Sequence, residues 1–213
     1  MACGTGKTFT SLRIAERLAD ELGGSARVLF MVPSLSLMSQ TLSEWASECS
    51  IGFEAWSVCS DTKVNRKRVT NNDIADMAVV DLKTPPTTDP KKLARSLHRH
   101  GDDDGLQVVF ATYQSIDVVA RAQVLGGSSW RDFDIIICDE AHRTTGVTLA
   151  DSDDSAFVRI HNNAIIRADK RLYMTATPRL FNDKVKDAAK EKSAVLCSMD
   201  DQSIYGPVFH RLG

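Results

Sequence analysis

The sequence of 213 residues lacks a long apolar run, paired cysteines and a strong net charge. No window approaches the roughly 18 consecutive apolar residues of a membrane span, and the first residues show neither the basic start nor the apolar core of a secretory signal. We therefore expect no membrane association. The five cysteines stand singly, with no C-x-x-C pair. This spacing argues against a zinc site and a disulfide framework, and it favours a reducing, cytoplasmic setting.

The charges nearly balance, because 26 Lys+Arg against 28 Asp+Glu give a net charge of −2. Binding to nucleic acid by bulk attraction usually requires a strongly basic protein, so any such contact here must come from a local patch or a lined groove. The composition, 43% hydrophobic and 25% charged, is that of a globular chain. It excludes a mainly disordered protein, a coiled coil and a collagen-like rod. The length suits one large domain.

Short apolar segments alternate with amphipathic ones along the chain. Strands are predicted at residues 27–32, 53–59, 106–112, 133–139 and 171–175, and helices at residues 8–22, 35–48 and 181–192. Strands that are apolar throughout, alternating with helices, indicate an α/β fold with a parallel sheet covered on both faces. In such sheets, ligands bind beyond the carboxyl ends of the strands.

Residues 61–105 interrupt this alternation and are predicted to form an insertion. The segment holds a basic run, a proline-rich turn and an acidic tip, with one short helix expected at residues 91–98. The basic run (Lys63, Arg66, Lys67 and Arg68) could contact phosphates, but such a run is more often a solvated loop.

The first chemical signal is Gly4-Thr5-Gly6-Lys7-Thr8 at the start of a predicted helix. Glycines allow backbone N–H groups to approach a phosphate chain, and the helix N-terminus adds a favourable dipole. Lys7 would reach the β- and γ-phosphates, and the Thr8 hydroxyl would ligate Mg²⁺. The alternative is a glycine turn before an ordinary helix. The predicted nucleotide-binding residues are Cys3, Gly4, Thr5, Gly6, Lys7 and Thr8.

This P-loop departs from its usual pattern at one position. Met1 stands where the pattern has Gly or Ala, five residues before Gly6, and no residues remain upstream to form the strand that feeds the loop. We therefore expect a fragment, or a start at an internal methionine, with the first strand of the sheet missing.

The second signal is the apolar run Ile135-Ile136-Ile137-Cys138 followed by Asp139 and Glu140. A strand that ends in two acids delivers them to the carboxyl edge of the sheet, beside the P-loop. Asp139 would hold Mg²⁺, and Glu140 would orient and deprotonate the attacking water. The alternative, a strand that merely ends in a charged turn, is less favoured because the P-loop is present.

Together these segments resemble the superfamily-two helicases and translocases. The resemblance rests on G-x-G-K-T at residues 4–8, D-E-A-H at 139–142, V-P-S at 32–34, A-T-Y-Q-S at 111–115 and T-A-T-P at 175–178, in the order of that superfamily. Finer features resemble the helicase-like subunits of restriction systems, above all single-chain enzymes of the type ISP kind. These features are D-E-A-H-R-T, Y-M-T-A-T-P-R and, near the end, S-I-Y-G-P-V-F-H-R-L.

The resemblance implies roles for further residues. Lys7, Asp139 and Glu140 would be catalytic. His142, Thr175 and Thr177 would couple the nucleotide state to the grip on DNA. Contacts to the nucleic-acid backbone are predicted for Ser34, Thr112, Tyr113, Gln114 and Ser115, because hydroxyl and amide groups suit phosphates. Ordinary packing at a strand end is the alternative for Thr112 and Tyr113.

We therefore expect residues 1–213 to form a truncated first RecA-like domain of a DNA helicase or translocase, using ATP and Mg²⁺. The family implies duplex DNA, a second RecA-like domain, and nuclease and methyltransferase domains as partners. Without the second domain and its arginine finger, the chain alone should be a weak ATPase. Two alternatives remain open: a non-catalytic nucleotide-binding remnant or scaffold, and an RNA helicase domain.

Overall fold

The structure is a computed structural model that describes residues 6–59, 86–99, 105–149, 158–191 and 194–211. The helices are α1 (Lys7–Glu21), α2 (Leu35–Glu48), α3 (Pro90–Arg99), α4 (Ile116–Gly126), α5 (Asp183–Glu191) and α6 (Gln202–Tyr205). The strands are β1 (Ser25–Val32), β2 (Phe53–Val58), β3 (Gly105–Thr112), β4 (Phe133–Cys138), β5 (Gly146–Leu149), β6 (Ala168–Tyr173) and β7 (Ala194–Cys197). Within these ranges no helix combines the length and the hydropathy needed to cross a bilayer.

Five strands form one parallel sheet in the order β2-β3-β1-β4-β6. In β1, β3 and β4 nearly every side chain is buried, which explains why these segments read as continuous apolar runs. Along β1, Val28 and Phe30 pack with the α1 and α2 side of the sheet, whereas Leu29 and Met31 pack with the α3 and α4 side. The α/β fold with a parallel sheet flanked by helices is therefore confirmed.

The helix predicted at residues 91–98 is part of this core. It is α3, Pro90–Arg99, which leads from β2 to β3 and buries Leu93 and Leu97 against the sheet, each 1% exposed. Just before it, Thr87 forms an isolated parallel bridge with Val58. Part of the segment predicted as an insertion at residues 61–105 therefore packs in the core, and the insertion itself stays a prediction. Its basic run lies outside the described residues.

A second, small sheet was not predicted from the sequence. It pairs β5 with β7 in antiparallel register, from Gly146 opposite Cys197 to Leu149 opposite Ala194. Each strand has four residues, too short for a clear alternation of apolar and polar side chains. The predicted strand at residues 171–175 also begins earlier than expected, because β6 runs from Ala168 to Tyr173.

Candidate nucleotide-binding site

The N-terminus of α1 begins at a glycine that needs its conformational freedom. Gly6 has φ 76°, in the left-handed region that a residue with a side chain rarely adopts, and it precedes the helix as its N-cap. The first N–H groups of an α-helix have no partner within the helix and attract anions. Lys7 and Thr8, the next two residues, are half-buried. Cys3, Gly4 and Thr5, the other predicted P-loop residues, lie outside the described residues.

One hydrogen bond within α1 and one from α2 hold the first turn of α1. The Thr8 carbonyl accepts from Trp45 Nε1 at 3.2 Å and from Ser11 Oγ at 2.7 Å. Trp45 is fully buried in α2. The backbone of the helix start is therefore held against a neighbouring helix, which places Lys7 at the carboxyl edge of the sheet.

Lys7 meets both acidic residues of the D-E-A-H segment. Its Nζ lies 2.8 Å from Glu140 Oε1 and 3.9 Å from Asp139 Oδ1. The three side chains are only 11%, 21% and 14% exposed, respectively. Because the surrounding protein excludes most of the water, these charges act on one another more strongly than an exposed ion pair would.

Asp139 carries a buried oxygen that lacks a hydrogen bond. Among the described residues, Oδ1 is buried and has no hydrogen-bond partner, although the Lys7 ammonium is 3.9 Å away. Burial raises the pKa of Asp139 above its usual range, against the lowering effect of the Lys7 charge. Its backbone is fixed on both sides, since its N–H donates to Met31 O at 3.0 Å and its carbonyl accepts from Tyr113 Oη at 2.8 Å. A buried carboxylate oxygen with an open acceptor position fits a cation ligand.

Glu140 is held in an uncommon backbone conformation. With φ 48° and ψ 47°, it is the one non-glycine residue with positive φ in the part of the chain that the structure describes. Such a conformation costs on the order of 1 kcal/mol or more and persists only where the surroundings determine it. Two flanking bonds contribute here: Ala141 N–H donates to Met174 O at 2.9 Å, and Arg143 N–H donates to the Glu140 carbonyl at 3.0 Å.

The predicted coupling residues lie next to this turn. His142 Nδ1 is 3.0 Å from Thr175 Oγ1 and 3.3 Å from Glu140 Oε2. Thr175 Oγ1 also accepts from the backbone N–H of Thr177 at 3.2 Å. The structure therefore brings together His142 and Thr175 through their side chains, and it adds Thr177 through its backbone.

The residues predicted to contact nucleic acid divide into two groups. Ser34 is half-buried at the start of α2, where its Oγ accepts from Leu37 N–H at 3.4 Å, and Gln114 is exposed. Tyr113 and Ser115 are fully buried, and Thr112, 6% exposed, shares a 2.6 Å hydrogen bond with Ser115. The contacts of these last three residues with nucleic acid stay a prediction, and the burial of Thr112 and Tyr113 agrees with the alternative of packing at a strand end.

Sequence reasoning missed a group of side chains behind the D-E-A-H turn. Thr144, His161, Tyr173 and Tyr205 are linked there by hydrogen bonds and ring contacts. Thr144, Tyr173 and Tyr205 each stand in a stretch quoted for the family resemblance, D-E-A-H-R-T, Y-M-T-A-T-P-R and S-I-Y-G-P-V-F-H-R-L, but none was given a role. No spacing rule connects the four residues, because they come from separate segments of the chain.

The parallel sheet, the helix that begins at Gly6-Lys7 and the acidic turn at Asp139-Glu140 define the class of protein. It is the first RecA-like domain of a superfamily-two helicase. A family model described as "Type III restriction enzyme, res subunit" matches residues 1–180, and the chain belongs to this family.

Comparisons with individual proteins agree with this family. A probable helicase of African swine fever virus, A859L, is 31% identical over 179 residues, which is 84% of this chain. The type ISP restriction-modification enzyme LlaGI, solved as a nuclease-deletion mutant with a DNA substrate mimic, matches 100% of this chain at TM-score 0.73 and 36% identity. LlaBIII, an ATP-dependent type ISP enzyme bound to DNA, also matches 100% at TM-score 0.73, with 39% identity.

The chain spans a small part of these relatives. It covers 16% of the viral helicase, 17% of the LlaGI chain and 13% of the LlaBIII chain.

Proposed function

We propose that the chain is the ATP-hydrolysing motor domain of a restriction enzyme, in which hydrolysis of Mg·ATP is coupled to movement on duplex DNA. The observation that carries the proposal is the meeting of Lys7, Asp139 and Glu140 at one edge of the sheet, within 3.9 Å of the Lys7 Nζ. A phosphate-binding cation, a metal-binding carboxylate and a candidate general base are the three groups that this reaction needs.

Binding of ATP would change the partner of Lys7. In the structure its ammonium is held by Glu140 Oε1 at 2.8 Å. Phosphate oxygens beside the N-terminus of α1 would compete for this ammonium, since they carry more negative charge than one carboxylate. Release of Lys7 frees Glu140 to accept a proton from water. Binding of the substrate would in this way prepare the general base.

Asp139 and Thr8 would hold Mg²⁺. The open acceptor position on Asp139 Oδ1 and the hydroxyl of Thr8 in the first turn of α1 are oxygen ligands of the type that Mg²⁺ prefers. The ion, when bound, neutralises charge on the phosphates. The backbone bonds of Asp139 to Met31 and Tyr113 keep its carboxylate in place.

His142 and Thr175 would carry the signal from the nucleotide to the nucleic acid. His142 touches the candidate base, at 3.3 Å from Glu140 Oε2, and it also bonds to Thr175 after β6. Any movement of Glu140 on exchange of partners therefore changes a contact of His142. On the nucleic-acid side, the exposure of Gln114 and the position of Ser34 support phosphate contacts by these two residues.

The partners proposed for this motor are duplex DNA, a second RecA-like domain, and nuclease and methyltransferase domains. LlaGI was solved with a DNA substrate mimic and LlaBIII bound to DNA, and each is several times longer than this chain, as their coverage of 17% and 13% implies. The nuclease-deletion form of LlaGI indicates that this relative also carries a nuclease.

Equilibrium binding of a fluorescent ATP analogue with Mg²⁺ tests the nucleotide site. We expect Lys7→Ala to abolish binding because the phosphates lose their cationic partner. Lys91→Ala, which removes an exposed lysine of α3, is the matched control and should bind as the parent does. Equal affinity for the parent and Lys7→Ala would refute the site. Competition between duplex DNA and RNA of the same sequence then decides which nucleic acid the motor uses.

A further inference from the structure

Three aromatic rings pack together behind the D-E-A-H turn, and each comes from a different segment. His161 ends a short 3-10 turn at Arg159–His161, Tyr173 ends β6, and Tyr205 ends α6. The ring centroids of His161 and Tyr205 are 4.8 Å apart, and those of Tyr173 and Tyr205 are 4.9 Å apart. Both pairs meet edge to face, the arrangement that aromatic rings favour. With Thr144, we call this group the Thr144 cluster.

Hydrogen bonds determine the protonation of His161. Its Nε2 lies 3.1 Å from the carbonyl oxygen of Thr144, which can only accept, so Nε2 carries the proton. Nδ1 of the neutral ring is then an acceptor, and the hydroxyl of Tyr173, 2.8 Å away, donates to it. Burial lowers the pKa of His161 to about 4, which keeps the ring neutral near pH 7.

Hydrogen-bond partners also determine where the Thr144 hydroxyl donates and where it accepts. Thr144 Oγ1 donates to the carbonyl of Ala141 at 2.8 Å, so its remaining contact, with Tyr205 Oη at 3.0 Å, is one in which the tyrosine donates. Thr144 is fully buried. The backbone oxygen and the hydroxyl oxygen of Thr144 therefore accept hydrogen bonds from His161 and Tyr205. The Thr144 hydroxyl itself donates to the Ala141 carbonyl at the start of the turn.

The turn held in this way comes directly after the candidate catalytic groups Asp139 and Glu140. It spans Ala141–Thr144 and follows directly on Glu140, whose left-handed backbone needs support from its surroundings. At one end, Ala141 N–H is bonded to Met174. At the other end, His161 and Tyr205 hold Thr144 through their hydrogen bonds. His142 lies between the two ends and contacts both Glu140 and Thr175.

We propose that Tyr205 and His161 are positioning residues: through Thr144 they fix the Ala141–Thr144 turn, and so set the placement of His142 and Glu140. The inference rests on the proposed function for its effect on ATP hydrolysis. It also connects the nucleotide site to α6 through the hydroxyl of Tyr205. A purely structural role would lower stability without separating nucleotide binding from turnover.

The test removes single atoms from the cluster. Tyr205→Phe deletes the hydroxyl that donates to Thr144 and keeps the ring that packs on His161. Thr144→Val removes the same bond from its other end and also the bond from Thr144 Oγ1 to the Ala141 carbonyl, whereas Thr144→Ser keeps a hydroxyl for both. Ser203→Ala is the matched control, because Ser203 is exposed on α6 and its Oγ donates to Asp201.

For Tyr205→Phe and Thr144→Val we expect nearly parental affinity for a Mg²⁺-bound fluorescent ATP analogue. Hydrolysis, measured on the chain under single-turnover conditions with protein in excess, should fall about 10- to 100-fold, as is typical when the support of an active-site ligand is lost. Thr144→Ser should restore most of the rate, and Ser203→Ala should leave it unchanged. Parental turnover in Tyr205→Phe, or an equal loss in Ser203→Ala, would overturn the proposal.

Nitrogen–proton NMR of the histidine rings gives a readout that needs no nucleotide. We expect His161 in the Nε2–H form in the parent, and altered His142 ring signals in Tyr205→Phe but not in Ser203→Ala. An Nδ1–H form of His161, or unchanged His142 signals in Tyr205→Phe, would contradict the proposal. If Lys7→Ala bound the analogue as the parent does, the proposed function would fail. The NMR signals of His161 and His142 would still decide whether the Thr144 cluster positions the turn.

Discussion

Lys7 and Glu140 form an ion pair across the candidate site, with 2.8 Å between Lys7 Nζ and Glu140 Oε1. The cation proposed to hold phosphate and the carboxylate proposed to activate water thus neutralise each other without substrate. Because the two groups come from α1 and from the turn after β4, the pair also joins the start of the helix to the end of β4, a strand inside the sheet. Binding of nucleotide therefore has to break a contact before it makes new ones.

Removal of the Glu140 charge should tighten nucleotide binding. In Glu140→Gln the ammonium of Lys7 no longer has a charged competitor for the phosphates. We expect a non-hydrolysable ATP analogue to bind more tightly by about 1 kcal/mol, or roughly fivefold. Calorimetry at one Mg²⁺ concentration measures this. Glu48→Gln, at an exposed position of α2, is the control, and weaker binding by Glu140→Gln than by this control would contradict the role of the pair.

Asp139→Asn should stabilise the protein and abolish the effect of Mg²⁺ on nucleotide binding. The substitution removes a buried charge of which one oxygen, Oδ1, lacks a hydrogen bond, so the free energy of unfolding should rise by on the order of 1 kcal/mol. Urea denaturation at pH 7 measures this gain. In the same variant, Mg²⁺ should no longer strengthen binding of the ATP analogue, because the proposed ligand is lost. A variant that is less stable than the parent and still responds to Mg²⁺ would count against both expectations.

Thr175→Ala should weaken communication between nucleotide and DNA. The substitution removes the hydroxyl that contacts His142 and accepts from Thr177 N–H. Affinity for the ATP analogue without DNA should stay nearly parental, since the phosphate-binding residues are untouched. The factor by which duplex DNA changes this affinity, about 5- to 150-fold in typical coupled systems, should fall towards one.

Thr175→Ser keeps the hydroxyl and removes only the methyl group, so it is the control for Thr175→Ala. The double variant with Thr177→Ala should behave as Thr175→Ala does, because Thr177 joins the network through its backbone. An unchanged coupling factor in Thr175→Ala would exclude these threonines as the link.

His161 should make the stability of the protein depend on pH. Burial lowers its pKa from 6.5 to about 4. In the window between these two values the unfolded chain binds a proton that the folded chain does not, so stability is lost as the pH falls from 6.5 towards 4. Between pH 6 and pH 5 this loss should be about 1 kcal/mol.

Chemical denaturation at several pH values, for the parent and His161→Gln, isolates this contribution. Glutamine keeps a side-chain donor for the Thr144 carbonyl but does not titrate. The stability difference between the two proteins should therefore shrink from pH 6 to pH 5. A constant difference over this range would show that His161 is not buried as described.

The sequence predicted the elements that are determined by local pattern. The apolar runs in β1, β3 and β4 are continuous because both faces of these strands are covered, and the prediction of a parallel sheet followed from them. The meeting of Lys7 with Asp139 and Glu140 could be expected for the same reason, since a helix start and a strand end share the carboxyl edge of such a sheet.

Other features depend on contacts between distant segments, which no local pattern records. The left-handed backbone of Glu140 and the burial of Tyr113 follow from how β1, β4 and β6 end beside each other. The pairing of β5 with β7 depends on the fold that brings them together, as does the group formed by Thr144, His161 and Tyr205.

The central claim is that this site hydrolyses ATP with Glu140 as the general base. The rate of phosphate release by Glu140→Gln tests it most directly. Phosphate release from Mg·ATP is followed under single-turnover conditions, with protein in excess, for the parent chain and Glu140→Gln. We predict that the variant binds the nucleotide at least as well as the parent but releases phosphate about 10²- to 10⁴-fold more slowly, the usual contribution of a general base. Equal rates of phosphate release from the two proteins would contradict the assignment of this site as the catalytic centre of an ATPase.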